Sequence, residues 1–160
     1  MCASGLVLPP QIAPVQVVLI PLLTPSTSPE DTTLITSTLL SYKQQLQALQ
    51  IRCEIDDRDS SHIRPGAKYY HWERKGVPLR LVLGAKECRA GTVSVKTRIA
   101  TTTGDSAALS SSGAAAAVMV PQASVVPHVQ EQLQLVQTAL FQRATEHLVT
   151  NTTFHATYAS

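Results

Sequence analysis

Residues 56–90 concentrate the side chains able to do chemistry. They hold eight of the chain's 13 Lys and Arg residues (Arg58, Arg64, Lys68, Arg74, Lys75, Arg80, Lys86 and Arg89) and five acids (Asp56, Asp57, Asp59, Glu73 and Glu87). A local basic surface of this kind can bind a polyanion although the formal net charge of the whole chain is only +2. The same charges also suit a solvated loop-and-helix face. Tyr69 and Glu73 stand one helical turn apart, so on a helix they share a face. Glu73 can serve a ligand, or it can pair with Arg74 or Lys75. Arg80 lies between Leu79 and Leu81 and points off the other face of a strand. Asp56, Asp57 and Asp59 resemble a metal cluster in isolation; capping and pairing with Arg58 is the other use for them.

Little else in the chain suggests catalysis. Cys2, Cys53 and Cys88 are odd in number and widely spaced, which makes neither a disulfide framework nor a zinc site and points to a reducing compartment. The five His residues show no metal-ligand spacing. There is no nucleophile elbow, phosphate loop or metal motif, so we expect no catalytic residue and no metal site here. The start MCASGLVLPP lacks the basic segment of a signal peptide. The apolar run 15–23 is too short to span a bilayer.

The elements that must position these residues alternate. Residues 16–22 (QVVLIPL) are apolar on both faces, as in a central strand covered by helices on both sides. Ser26 to Asp31 supplies a hydroxyl cap, a first-turn Pro and acids at the positive end of a helix. Ile35, Leu39, Tyr42, Leu46 and Leu49 then form one apolar stripe. Ile51, Cys53 and Ile55 alternate with charged residues as a half-buried strand, which completes a βαβ unit with parallel pairing. After a turn-rich loop, Pro65-Gly66 opens a short helix reaching Arg74. Strands follow at 77–83 and 92–99, the second with Lys96 and Arg98 on its outer face. Residues 100–126 are rich in Thr, Ser, Ala and Gly and nearly uncharged, which predicts a low-complexity insertion or mobile loop; a short helix through the alanines is the alternative. Val129, Leu133, Val136, Leu140, Ala144 and Leu148 recur at helical spacing, ahead of a frayed tail at 151–160. One domain over 1–150, of α/β class, is expected.

Three stretches carry a resemblance. Residues 5–21 (GLVLPPQIAPVQVVLIP), 56–87 (DDRDSSHIRPGAKYYHWERKGVPLRLVLGAKE) and 140–148 (LFQRATEHL) resemble the anticodon-binding domain of prolyl-tRNA synthetases, most closely the archaeal and eukaryotic form. The DDRD, PGxK, WExKGVPLR and GxKE pieces occur in order at nearly the family's spacing, and HWExKGVPLR favours proline over the related histidine, glycine and threonine enzymes. The resemblance implies a mixed, mainly parallel, roughly five-stranded sheet flanked by helices, the fold of the class II synthetase anticodon-binding domain. It also implies a cytoplasmic tRNA-recognition module. The parent enzyme, expected to be a homodimer, charges proline tRNA with ATP and Mg in a catalytic domain that precedes this one. Nothing in this chain resembles that domain's ATP-binding motifs, so no cofactor is expected here; the chain reads as a fragment of such an enzyme, with a stand-alone product as the alternative.

The resemblance further implies which residues bind. Every proline anticodon carries two guanines, whose Watson–Crick edges offer N1–H and N2–H donors beside the O6 acceptor. Carboxylates suit the donors, cations suit O6 or N7, and aromatic rings can stack on splayed bases. The positions matching the family are Tyr69, Glu73, Arg80, Lys86 and Glu87. Tyr70 is nearby, and Lys68, Arg74 and Lys75 are candidate contacts to the RNA backbone. Trp72 is expected in the core. The chain departs from the family in its longer 59–65 loop, in Arg64 where a Ser or Thr cap is usual, in Glu87 where Asp is common, and after the last strand, where Thr103-Gly104-Asp105 leaves the family's turn lysine without a counterpart. An accessory protein-interaction module of the same fold is the second reading.

Overall fold

The first strand, β1 (Val17–Leu22), is apolar on both of its faces, and the fold buries both. The computed structural model describes residues 5–24, 27–58, 63–99 and 117–153. In chain order the elements are β1, α1 (Pro29–Ala48), β2 (Cys53–Ile55), α2 (Pro65–Arg74), β3 (Leu79–Gly84), α3 (Ala85–Arg89), β4 (Thr92–Thr97), β5 (Val118–Pro121) and α4 (Val125–Asn151). The five strands form one sheet in the order β2-β1-β3-β4-β5. The β1 ladders to β2 and β3 are parallel, and those joining β3, β4 and β5 are antiparallel, so the parallel share is half rather than most of the sheet.

Two apolar layers flank the sheet. Val17 and Leu19 of β1, Leu79, Leu81 and Leu83 of β3, Val93 and Val95 of β4 and Val120 of β5 pack against Ile35, Leu39, Tyr42 and Leu46 of α1 and Val125, Val129 and Leu133 of α4. Val18, Ile20 and Val82 project to the other face, against Trp72 of α2 and Val77. Complete burial of one such side chain contributes about 1.5–3 kcal/mol. β1 therefore sits inside both layers.

Local chemistry sets the helix ends. Ser28 caps α1, its Oγ accepting from Asp31 N at 3.1 Å, with Pro29 at the first position and Glu30 and Asp31 in the first turn. Leu49 leaves the expected stripe: α1 ends at Ala48, Gln50 takes a positive φ of 59°, and Leu49 is 44% exposed. α2 starts at Pro65 behind Arg64, which makes no side-chain capping bond.

Part of the stretch expected as an insertion, 100–126, builds the fold. Residues 118–121 form β5, and α4 begins at Val125, ahead of Pro127; Val120 and Val125 are buried. A few apolar residues at the end of a bland stretch suffice to add an edge strand to β4 and to start the closing helix. The alanine run at 114–116, Thr103-Gly104-Asp105, Asp59, Ser26 and the tail from 154 lie outside the described residues. α3, which carries Ala85, Lys86 and Glu87 of the GxKE piece, was not expected as a helix.

Candidate nucleic-acid interface

The face of the sheet covered by α2 carries the chemistry. β3 alternates, so Leu79 and Leu81 enter the α1/α4 layer while Arg80 turns toward α2. There the guanidinium carbon of Arg80 lies 3.9 Å from the centroid of the Tyr69 ring, and its Nη1 donates to Glu73 Oε1 at 3.2 Å. Tyr69 and Glu73 share one face of α2, as their spacing requires. The three side chains line a shallow cleft with Val18, Trp72, Val77, Lys96, Thr97 and Arg98. Within the ion pair the Arg80 side chain is 14% exposed and that of Glu73 is 35% exposed, so the carboxylate meets solvent and the cation lies beneath it.

Burial pulls Arg80 below the usual guanidinium range, against the opposing pull of Glu73 and Tyr69, and the charge of Arg98 adds to the depression. Burial pushes the Tyr69 hydroxyl up; Arg80 lowers it and Glu87 raises it. Glu87 of α3 is thus near enough to feel this cluster. Its Oε2 lies over Gly84, where a Cβ would come within 2.7 Å of it, so a side chain at that position would push the Glu87 carboxylate aside. Lys86 is exposed on the same short helix.

α2 is held in place by a buried carboxylate. Asp56, just past β2, is 1% exposed. Its Oδ1 accepts from Arg58 Nε at 2.9 Å and from Arg58 N at 3.2 Å, and its Oδ2 accepts from Trp72 Nε1 at 2.7 Å and from Arg58 Nη2. Burial works against the charged form, but the Arg58 and Trp72 hydrogen bonds and the Lys68 charge outweigh it, leaving Asp56 below the usual carboxylate range. Pairing with Arg58 is therefore what Asp56 does. Among the described residues no three His, Cys, Asp or Glu side chains converge as a metal would need.

This corrects one expected contact. Lys68 was a candidate for the RNA backbone, but it is 2% exposed, with Nζ donating to Arg58 O at 2.6 Å and lying 3.8 Å from Asp56 Oδ1. Its place on α2 points it at the sheet, one turn ahead of Trp72. Arg74 and Lys75 are exposed, with Arg74 over Tyr70 and Lys75 Nζ 4.5 Å from the Trp72 ring centroid. Tyr70 itself is 55% exposed. Lys96 and Arg98 line the cleft, where alternation alone places them only as outward-facing strand residues. Their alternation with Val95 and Thr97 was the available signal; the antiparallel β3–β4 register that sets Lys96 opposite Arg80 was not.

The family model described as anticodon binding domain matches residues 16–120. The chain is 35% identical over 145 residues to a proline–tRNA ligase of Methanococcoides burtonii, covering 91% of this chain and 26% of that protein. It is 46% identical over 84 residues to the proline–tRNA ligase of Methanosarcina mazei, covering 52% of this chain and 16% of that protein. It is 33% identical over 141 residues to the chloroplastic/mitochondrial proline–tRNA ligase of Arabidopsis thaliana, covering 88% of this chain and 24% of that protein. The chain thus spans about a quarter or less of the length of these relatives.

Proposed function

The chain belongs to the anticodon-binding domain family, and from that premise we propose that it binds the anticodon stem-loop of proline tRNA and reads its two guanines. The observation that carries this reading is the cluster of Tyr69, Glu73 and Arg80 in one cleft. A partly exposed carboxylate can accept from guanine N1–H and N2–H together, a guanidinium can donate to O6 or N7, and Tyr69 with its stacked cation forms a flat wall against which an unstacked base can lie. The bases of an anticodon loop are single-stranded and can be splayed in this way. Glu87 and Lys86 on α3 supply the second carboxylate and cation for the second guanine.

The relatives are proline–tRNA ligases. We assign this chain to the tRNA-recognition part of such a ligase, which joins L-proline to its tRNA as ATP is converted to AMP and diphosphate. ATP and Mg belong to the catalytic domain, the covalent partner of this one, and the parent enzyme is a cytoplasmic homodimer. Binding is tested by titrating the domain with proline anticodon stem-loop RNA and with the same RNA in which either guanine is replaced by adenine. Tighter binding of the double-guanine loop supports the reading; equal affinity for all three sinks it.

A further inference from the structure

The cleft holds more positive charge than its pairing uses. Lys96 is the antiparallel partner of Arg80 across β3 and β4, so both side chains rise from the same face, and Arg98, one residue past the end of β4, lines the same cleft. Like charges directly opposite one another on a sheet are destabilising. Among the described lining residues Glu73 is the one carboxylate, and Arg80 takes it. Among the described residues Arg98 Nε reaches the Leu6 carbonyl, at a long 3.4 Å. Arg98 Nη2 and Arg80 Nε are buried with no hydrogen-bond partner among the described residues. A buried donor left unpaired is costly, and two such donors with two surplus cations in one cleft call for a ligand made of acceptors.

We propose that Lys96 and Arg98 hold a phosphate of the RNA backbone beside the base read by Tyr69, Glu73 and Arg80. This rests on the anticodon-binding reading above. A base edge mixes donors with acceptors, whereas Lys and Arg side chains only donate, so the pair suits a phosphate, which only accepts. Phosphate contacts fix register without carrying sequence information. Lys96 and Arg98 therefore set where the loop sits, and the α2–β3 trio decides which base is accepted.

The test is the salt dependence of binding for the full chain, its Lys96→Gln, Arg98→Gln and Arg98→Lys variants, and both the proline stem-loop and an RNA with a changed anticodon, with circular dichroism melting to confirm folding. Each lost phosphate contact on a single-stranded segment should lower the slope of log affinity against log salt by about 0.7. Lys96→Gln and Arg98→Gln should weaken both RNAs by the same factor, and Arg98→Lys should retain most of the slope. Unchanged slopes in folded Lys96→Gln and Arg98→Gln overturn the proposal, as does a loss confined to one anticodon. If Arg98→Gln does not fold, Lys96→Gln and Arg98→Lys decide alone. A wild-type chain that binds both RNAs equally defeats the guanine reading while the slopes still judge the phosphate contact; a chain that binds neither defeats both.

Discussion

Trp72 Nε1 donates to Asp56 Oδ2 at 2.7 Å, so the helix bearing Tyr69 and Glu73 is fastened to the end of the edge strand β2 by a buried carboxylate. Arg58 and Lys68 complete the charge balance. Removing one partner of a buried ionic group leaves the others uncompensated, at a cost of about 3–5 kcal/mol. Asp56→Ala should therefore lower unfolding free energy by about that much, measured by urea titration.

The same carboxylate gives a pH dependence. Its pKa is depressed in the fold, so its contribution is present above the unfolded value of about 3.9 and is lost as the pH falls through the lower folded value. Stability should drop on acidification below about pH 4. Asp56→Asn should have a shallower acid limb. Identical limbs in the two proteins would refute the assignment.

Glu73→Gln keeps the side chain's shape but turns a donor toward guanine's own donors. With Arg80→Ala, it should cut the preference for a double-guanine anticodon by about 1–3 kcal/mol at one base, with little change in salt slope. Lys75→Ala, at an exposed site over Trp72, should weaken all RNAs alike. Direct titration of stem-loops with one guanine exchanged separates the two classes.

Purified chain should show no proline-dependent exchange of pyrophosphate into ATP, because the groups gathered in its cleft are suited to binding. Proline-specific exchange would refute this reading.

Deleting residues 106–116, poor in both apolar mass and charge, should leave the melting temperature nearly unchanged. Val120→Ala should cost up to about 1.5–3 kcal/mol, since that side chain is buried between β4 and the closing helix.

Arg64 occupies the N-cap of α2 with extended backbone angles and no capping bond. Arg64→Ser places a hydroxyl acceptor there and should stabilise by about 1 kcal/mol, visible as a raised melting temperature.

The parts legible in sequence were those with strong periodicity or strong local chemistry. The four-and-three spacing of Ile35, Leu39, Tyr42 and Leu46 predicted α1, and the two-sided apolar run predicted that β1 would be covered on both faces. The shared face of Tyr69 and Glu73 followed from helical geometry alone, but the descent of Lys68 into the interior did not. That depends on which side of α2 meets the sheet and on Asp56 waiting beneath it, a contact made across the fold. The fifth strand was hidden because VMVP is short, sits at the end of a bland Ser- and Ala-rich stretch and is defined by its pairing to β4. Lys96 and Arg98 remained outside the site for the same reason: alternation shows that they point outward, and only strand pairing shows what they point at.

The strands at the two margins of the sheet are its shortest, three residues in β2 and four in β5, against six in each of the inner three. Arg52 and Glu54 stand exposed at the β2 margin. A second chain approaching either margin finds few open backbone groups to extend, and charge at one of them. The architecture thus resists edge-to-edge polymerisation of its apolar sheet.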